Sequence, residues 1–253
     1  QMNKNFKMYK NDFILRKSNK ESDVFDEIVL ASRNIKKALI PSYIKEIKGN
    51  AFKKCELLES VEFSEDSQLV EIGGCAFEES SIESITIPKH VQTIQYCAFQ
   101  NCKKLKSVKF EDNSELENIM FSAFSGSSIE SFKVPSHAYL YHRVFADCNQ
   151  LKCLEFSEDY DKNSISKCLS GCSGEYLSIP SKSEEFYTFD SLWFDYLLNL
   201  KNIFISPNNK NFIYYENEFL ITKSESNKFD VLYFANDKKQ INFPSFIRKI
   251  NKY

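Results

Sequence analysis

A hydrophobic pattern recurs along the chain with a period of a little over twenty residues. Most copies begin with a small residue followed by Phe, and L-x-x-V-x-F follows five or six residues later, as in Leu58, Val61 and Phe63. The central Phe or Leu positions are separated by 25, 22, 25, 21, 24 and 25 residues. Internal similarity at a fixed period of this length indicates a stack of similar structural units. The central positions are Phe52, Phe77, Phe99, Phe124, Phe145, Leu169 and Phe194.

The apolar pattern predicts one strand and one compact turn in every unit. The V-x-F alternation places every second side chain on a buried face, which is typical of a strand. The segment from Ile47 to Phe52 has a spacing nearer to a turn of helix. Such a unit cannot bury its apolar face alone, so neighbouring units stack at the strand spacing of about 4.8 Å. The sequence therefore predicts an α/β repeat solenoid, with coils of 21–26 residues and a parallel sheet on one face.

A longer period is superimposed on the coils. Proline follows alternate strands, and the strands between them are followed by acidic turns such as Ser64–Asp66. Proline fixes the backbone at the exit of one coil, while Ser, Asp and Asn favour the turn that leaves the next. The alternation predicts that the repeating unit is a doublet of about 46 residues. The prolines concerned are Pro41, Pro88, Pro135 and Pro180.

The two ends of the chain resemble each other as well. Asn3–Ser18 and Asn209–Ser224 are identical at nine of sixteen positions, and Ile40–Ile47 returns as Phe243–Ile250. Alternating apolar residues separated by Asn-rich and Asp-rich turns predict a β-hairpin block at each end. The predicted organisation is an N-terminal block (1–39), a leucine-rich repeat solenoid of about seven coils (40–205) and a second block that begins a further, incomplete coil (206–253).

The repeat A-F-x-x-C-x-x-L-x-x-V-x-F, with I-P after alternate strands, resembles the BspA-like leucine-rich repeat proteins of gut and oral bacteria and anaerobic protists. This resemblance implies a surface antigen or adhesin that binds host matrix proteins or other cells. It supplies no catalytic residues. It also implies a cell-surface location. The sequence contains no signal peptide, membrane segment or N-x-[ST] glycosylation acceptor, so a cytoplasmic location stays open.

The exposed face of the predicted sheet is the candidate binding surface. In a solenoid the outward side chains of successive strands form rows, and such surfaces commonly bind other proteins. No Ser-His-Asp or Cys-His arrangement converges here, so the sequence predicts neither an enzyme nor a cofactor. The alternative is an ordinary solvated sheet face. The candidate binding residues are Glu62, Thr86, Lys109, Lys133, Glu155, Tyr176, Ser178, Asn202 and Phe204.

Charge and composition narrow the class of partner. Lys and Arg number 33 against 35 Asp and Glu, a net charge of −2, so no global field favours nucleic acid. No apolar run approaches the ~20 residues of a membrane helix. The favoured function is recognition of, or adhesion to, another protein through the sheet face. The alternative is a structural solenoid, such as an intracellular scaffold, that associates weakly with itself through its open ends.

Cysteines recur at fixed places in the repeat. Cys55, Cys102 and Cys148 share a position three residues after the Phe, with Ser in the coils between them, and Cys75 and Cys97 share another. We place residues that share a position in alternate coils, about 10 Å apart and beyond the reach of a disulfide. The sequence therefore predicts eight reduced thiols. It contains no C-x-x-C pair or zinc-ligand spacing, so no metal is predicted.

Two further features have competing interpretations. The acidic pairs that begin at Glu65, Glu111 and Glu158 stack on one edge, either as solvated turns, which we favour, or as a calcium ladder. Trp193 occupies a position held elsewhere by small residues. Its ring either thickens the core, which we favour, or forms an exposed aromatic patch.

Overall fold

The described part of the chain is built from strands and turns. The computed structural model describes residues 4–157, 160, 176–179, 202–216, 219–223, 228–235 and 244–250, and within these it contains twenty strands and no helix. The strands are β1 (Phe6–Tyr9), β2 (Phe13–Arg16), β3 (Glu27–Ala31), β4 (Lys37–Ile40), β5 (Glu46–Ile47), β6 (Ser60–Phe63), β7 (Glu71–Ile72), β8 (Ser84–Ile87), β9 (Thr93–Ile94), β10 (Ser107–Phe110), β11 (Asn118–Ile119), β12 (Ser131–Val134), β13 (Tyr139–Leu140), β14 (Cys153–Phe156), β15 (Tyr176–Ile179), β16 (Asn202–Ile205), β17 (Phe212–Tyr215), β18 (Phe219–Lys223), β19 (Phe229–Ala235) and β20 (Lys249–Ile250).

Each coil from β5 to β14 contributes a long strand to one parallel sheet and a two-residue strand to another. The long-strand sheet has the order β4-β6-β8-β10-β12-β14-β15-β16, which confirms the predicted order of parallel neighbours. The short-strand sheet has the order β3-β5-β7-β9-β11-β13, and the antiparallel strands β1 and β2 extend it beyond β3. The buried apolar side chains of the described coils meet between these walls in one continuous core.

The predicted helical turn around each Phe is wrong. In the first complete coil the backbone of Asn50 and Lys54 has positive φ, 63° and 57°, which an α-helix does not accept. Every second backbone N–H also donates its hydrogen bond to the neighbouring coil instead of to the carbonyl four residues earlier in the chain. Phe52 N donates to Ala76 O at 2.7 Å, and Lys54 N donates to Glu78 O at 2.8 Å. The α/β class is therefore wrong, and the described residues form an all-β solenoid.

The predicted column of Phe side chains is the centre of the core. Phe52, Phe77, Phe99, Phe124 and Phe145 are fully buried. Their rings stack in sequence with centroids 4.7, 5.2, 5.1 and 5.9 Å apart. The spacing matches the separation of neighbouring strands, so each coil supplies one ring to a single apolar stack.

The long-strand sheet confirms the doublet. Four residue pairs join β4 to β6, β8 to β10, and β12 to β14. Only one pair, Ser60 with Ser84, joins β6 to β8, and only Ser107 with Ser131 joins β10 to β12. Coils therefore pair along their whole strands within a doublet and only at the start of their strands between doublets.

Proline explains why the strands separate between doublets. The residue after β6, Ser64, donates its N–H to Ile40 O at 3.0 Å, and Glu111 after β10 donates to Ile87 O at 3.1 Å. Pro88 and Pro135 occupy the same place after β8 and β12. Because proline has no N–H, the ladder cannot extend there, and the strand ends splay apart.

The two terminal blocks have the same fold. Tyr9 pairs with Phe13 in the first hairpin, as Tyr215 pairs with Phe219 in the second. In the first block β3 continues into a parallel pair with β5, and in the second β19 pairs in parallel with β20. The two blocks therefore share one pattern of strand pairing. The first block covers the core, since the Phe13 ring packs on Phe52 with centroids 5.8 Å apart.

Several predicted features lie outside the described residues. They are Pro180, Leu169, Trp193, Phe194, Phe243, the pair Glu158 and Asp159, and two of the eight cysteines, Cys168 and Cys172.

Candidate binding surface

The long-strand sheet carries all nine predicted binding residues. In β8 the four side chains are exposed, buried, exposed and buried, so the first and third point away from the core. The predicted residues occupy these first and third positions in their strands. Six of them are exposed, and Tyr176, Ser178 and Asn202 are partly buried.

Lys109 and Lys133 form the centre of this surface. They are exposed residues of the neighbouring strands β10 and β12. Thr86 is the cross-strand partner of Lys109, and Glu155 is that of Lys133. Among the residues that the structure describes, neither lysine belongs to an ion pair. Two neighbouring positive charges without a fixed counter-ion favour contact with an acidic group.

A groove opens beside the two lysines. Its volume is about 680 Å³, and it lies where β10 and β12 separate before Pro135. Its walls include both lysines, so groove and sheet face form one continuous surface. The groove is lined by Val108, Lys109, Phe110, Glu111, Asp112, Asn113, Ser114, Lys133, Val134, Pro135, Ser136, His137 and Ser157.

The groove has an acidic rim on one side. Glu111 and Asp112 are exposed there, and the Glu111 carboxylate accepts a hydrogen bond from Lys89 N at 3.0 Å. This bond directs Glu111 toward the preceding coil. His137 lies on the opposite wall, in the turn after Pro135. The groove therefore offers ammonium groups on the sheet side and hydrogen-bonding groups at the turns.

An aromatic pair lies toward the last strand of the same sheet. The rings of Tyr176 and Phe204 are 6.0 Å apart, and Phe204 is 55 % exposed. Two other predicted binding residues on the same strands accept hydrogen bonds from the backbone. Ser178 Oγ accepts a hydrogen bond from Phe156 N at 2.7 Å, and Asn202 Oδ1 accepts one from Ile203 N at 2.8 Å. The aromatic pair is thus the apolar end of an otherwise polar surface.

Sequence reasoning missed two parts of this surface. Leu39 of β4 is 52 % exposed and stands beside Glu62 in the same row. Its signal was the alternation in Lys37–Ile40, which falls at the predicted block boundary. The groove itself was also missed, although Pro135 after β12 was the signal for a broken ladder.

The described residues offer no metal centre. They contain no group of three His, Cys, Asp or Glu side chains that could hold an ion. Glu65, Asp66 and Asp112 are exposed in their turns. His90 Nδ1 lies 3.0 Å from Glu115 Oε1, and neither residue lines the groove. Among the described residues, no helix is long and apolar enough to span a bilayer.

Two solved structures resemble this solenoid. The pneumococcal vaccine antigen PcpA is 25 % identical with a TM-score of 0.51, and the match covers 69 % of this chain and 46 % of that protein. A leucine-rich repeat protein from Bacteroides ovatus is 17 % identical with a TM-score of 0.51, covering 81 % and 52 %. The chain thus spans about half the length of both structures. No curated protein matches the chain significantly.

The family follows from the repeats. A sequence model of the BspA type leucine rich repeat region matches residues 25–152 and 117–230, with six copies. These ranges cover most of the chain, including the Phe column, the prolines and the strands of the candidate surface. The chain belongs to the BspA-type leucine-rich repeat family.

Proposed function

We propose that this protein binds another protein through the long-strand sheet and the adjoining groove. Membership of a leucine-rich repeat family supports a role as a protein-interaction module. The observation that carries the proposal is the opening of the sheet between β10 and β12. It places a groove of about 680 Å³ against two lysines that lack ion pairs among the described residues.

The chemistry of the surface indicates the kind of partner. Lys109 and Lys133 favour a partner that presents acidic side chains toward the groove. Phe204 supplies an exposed aromatic anchor on the same sheet. Aromatic side chains at the centre of interfaces commonly account for most of the binding energy. The partner we propose is therefore a protein surface that presents both acidic groups and an apolar pocket. The proposed role is adhesion, as the resemblance to the BspA-like proteins implies.

Charge reversal tests this proposal. The wild-type protein is immobilised and exposed to a panel of matrix proteins and cell extracts, and the captured proteins are identified by mass spectrometry. The double variant Lys109→Glu/Lys133→Glu should bind the captured partner at least about tenfold more weakly, equivalent to about 1.4 kcal/mol. Lys104→Glu, at an exposed turn position outside the sheet, is the matched control. Equal binding by wild type and double variant would overturn the assignment of the surface.

Self-association is the second candidate function, and one observation favours it. Ile250 in β20 is 59 % exposed, whereas its equivalent Ile47 in β5 is fully buried under the following coil. Among the described strands β20 is the last of its sheet, and the exposed side chains of Phe246 and Ile250 form an apolar seat, a surface of the kind that another parallel strand covers. A second copy of this chain is the occupant we propose for that seat.

A further inference from the structure

Cys75 and Cys97 lie on adjacent coils, which corrects the spacing expected from the sequence. The two positions are 22 residues apart, the same offset as Ile72 and Ile94, which are direct partners in the short-strand sheet. No coil intervenes between them. Their backbones are therefore one strand spacing apart, about 4.8 Å, rather than two.

The local backbone fixes the two cysteines in the same orientation. Cys75 N donates a hydrogen bond to Tyr96 O at 2.9 Å, which holds the two turns in register. Both cysteines have positive φ, 56° and 54°, so their side chains leave the backbone in the same direction. A separation of one strand lies within the Cα distances of about 4.4–6.8 Å that disulfides span.

Both thiols are partly accessible and carry no bridge. Cys75 and Cys97 are free and only partly buried, whereas Cys55, Cys102 and Cys148 are fully buried. Beside them, Glu78 forms an ion pair with Lys53, with Glu78 Oε2 2.8 Å from Lys53 Nζ. Burial, together with Glu78, raises the pKa of Cys75 to about 12, and burial also raises the pKa of Cys97. The pair is therefore protonated at neutral pH and reacts faster in alkaline solution.

We propose that Cys75 and Cys97 form a disulfide site, at which a low-molecular-weight disulfide such as oxidised glutathione converts the two thiols into a bridge between adjacent coils. The Cys97 thiolate first attacks one glutathione sulfur, forming a mixed disulfide and releasing one glutathione thiol. The Cys75 thiolate then attacks Cys97 Sγ, which forms the bridge and releases the second glutathione thiol. The protein loses two hydrogens, and the glutathione disulfide gains them.

The experiment exposes the folded full-length protein to oxidised glutathione at mildly alkaline pH, followed by peptide mapping without reduction. A peptide that joins Cys75 to Cys97 is the expected product, and thermal unfolding should shift upward by several degrees because the bridge closes a loop. Cys75→Ser should stop at a glutathione adduct on Cys97. Serine fits this site, since Ser122 occupies the equivalent position in the coil that follows Cys97.

A matched control keeps the result specific. Cys102 alternates with Ser80 and Ser127 in the neighbouring coils, so no cysteine lies one strand away from it in its own column. Cys102→Ser should therefore form the bridge at the wild-type rate. Wild-type protein that carries glutathione on both Cys75 and Cys97 and shows no joined peptide would overturn the proposal. A bridge from either residue to any other cysteine would overturn it too.

Discussion

At the scale of single residues, the alternation of Cys and Ser in one column has a hydrogen-bonding cause. Cys102 Sγ donates to Phe77 O at 3.0 Å and contacts Ser80 Oγ at 3.5 Å. Cys148 Sγ donates to Phe124 O at 3.1 Å in the same way. The position needs a small side chain that can donate to the preceding coil, and both Cys and Ser meet that requirement. Cys102 is fully buried, and burial raises its pKa to about 12, so reagents in solution do not reach this thiol and its role is structural.

Phe99 is the residue whose loss we expect to destabilise the solenoid most. Its ring is fully buried between Phe77 and Phe124, at centroid distances of 5.2 and 5.1 Å. Phe99→Ala should lower the free energy of unfolding by about 3–5 kcal/mol, because it removes the ring and leaves a cavity in the stack. Denaturant titration measures the change. Phe121→Ala is the control, since Phe121 is 48 % exposed. A loss below about 1 kcal/mol for Phe99→Ala would show that the Phe column is not the core.

At the scale of elements, a buried carboxylate holds the first block together. Asp26 precedes β3 and is 3 % exposed. It accepts hydrogen bonds from Ser18 N at 2.9 Å and Ser18 Oγ at 2.7 Å, and Lys45 Nζ lies 3.7 Å away. Burial by itself raises the pKa of Asp26, but the hydrogen bonds from Ser18 and the charge of Lys45 outweigh it, and the pKa is lower than usual.

The lowered pKa of Asp26 predicts acid sensitivity. A group whose pKa is lower in the folded state stabilises the fold above its ordinary pKa, and this contribution is lost as pH falls through the folded value. Asp26→Asn should cost about 1–2 kcal/mol at pH 7 and much less once Asp26 is protonated. Urea titrations at pH 7 and at acid pH compare it with Asp23→Asn, which changes an exposed carboxylate. An equal cost of Asp26→Asn at both pH values would contradict the assignment.

We expect Pro135 to cause the separation of β10 and β12 that forms the groove. A substitution that restores the backbone N–H at this position tests the expectation. In the wild-type protein Glu111 N, directly after β10, donates to Ile87 O of the preceding coil. In Pro135→Ala the new N–H at position 135 has the equivalent place directly after β12. We expect it to donate to the carbonyl of Phe110 and to extend the pairing of β10 with β12. Amide hydrogen exchange should then show protection at position 135 and slower exchange in β12. Ser136→Ala adds no amide and is the control. An unprotected amide at position 135 would mean that proline does not cause the separation.

The sequence predicts the strands better than the turns, for physical reasons. Alternation in segments such as Ser84–Ile87 directly reflects burial on one face, and the constant offset between coils determines their order. The left-handed turns are harder to predict. Asn50 and Asn101 favour positive φ, but Cys75 and Arg143 adopt it without such a preference, because the stacked coils impose it. The rows of the binding surface follow from the strands, whereas the groove depends on a missing hydrogen bond between coils.

At the scale of the whole molecule, two surfaces are separated on the solenoid. The long-strand sheet carries the groove and the lysines, and Cys75 and Cys97 lie on the turns that follow the short strands. The same repeat therefore places the candidate binding surface on one wall and the proposed disulfide site on another. Since one core of stacked Phe side chains joins both walls, we expect the proposed bridge between adjacent coils to stabilise the scaffold without occupying the candidate binding surface.

The apolar seat on the second block predicts weak, concentration-dependent self-association. Phe246 is 39 % exposed and Ile250 is 59 % exposed, while Ile47 is fully buried at the equivalent place in the first block. Phe246→Ser/Ile250→Ser should reduce the association, because it removes apolar surface that a second copy would cover. Phe243, which the sequence adds to this set, lies outside the described residues. Sedimentation over a range of concentrations measures the effect, with Phe121→Ser as an exposed aromatic control on the turns. A strictly monomeric wild-type protein at high concentration would remove self-association as a function and leave the sheet face, with its groove, as the binding surface for a different protein.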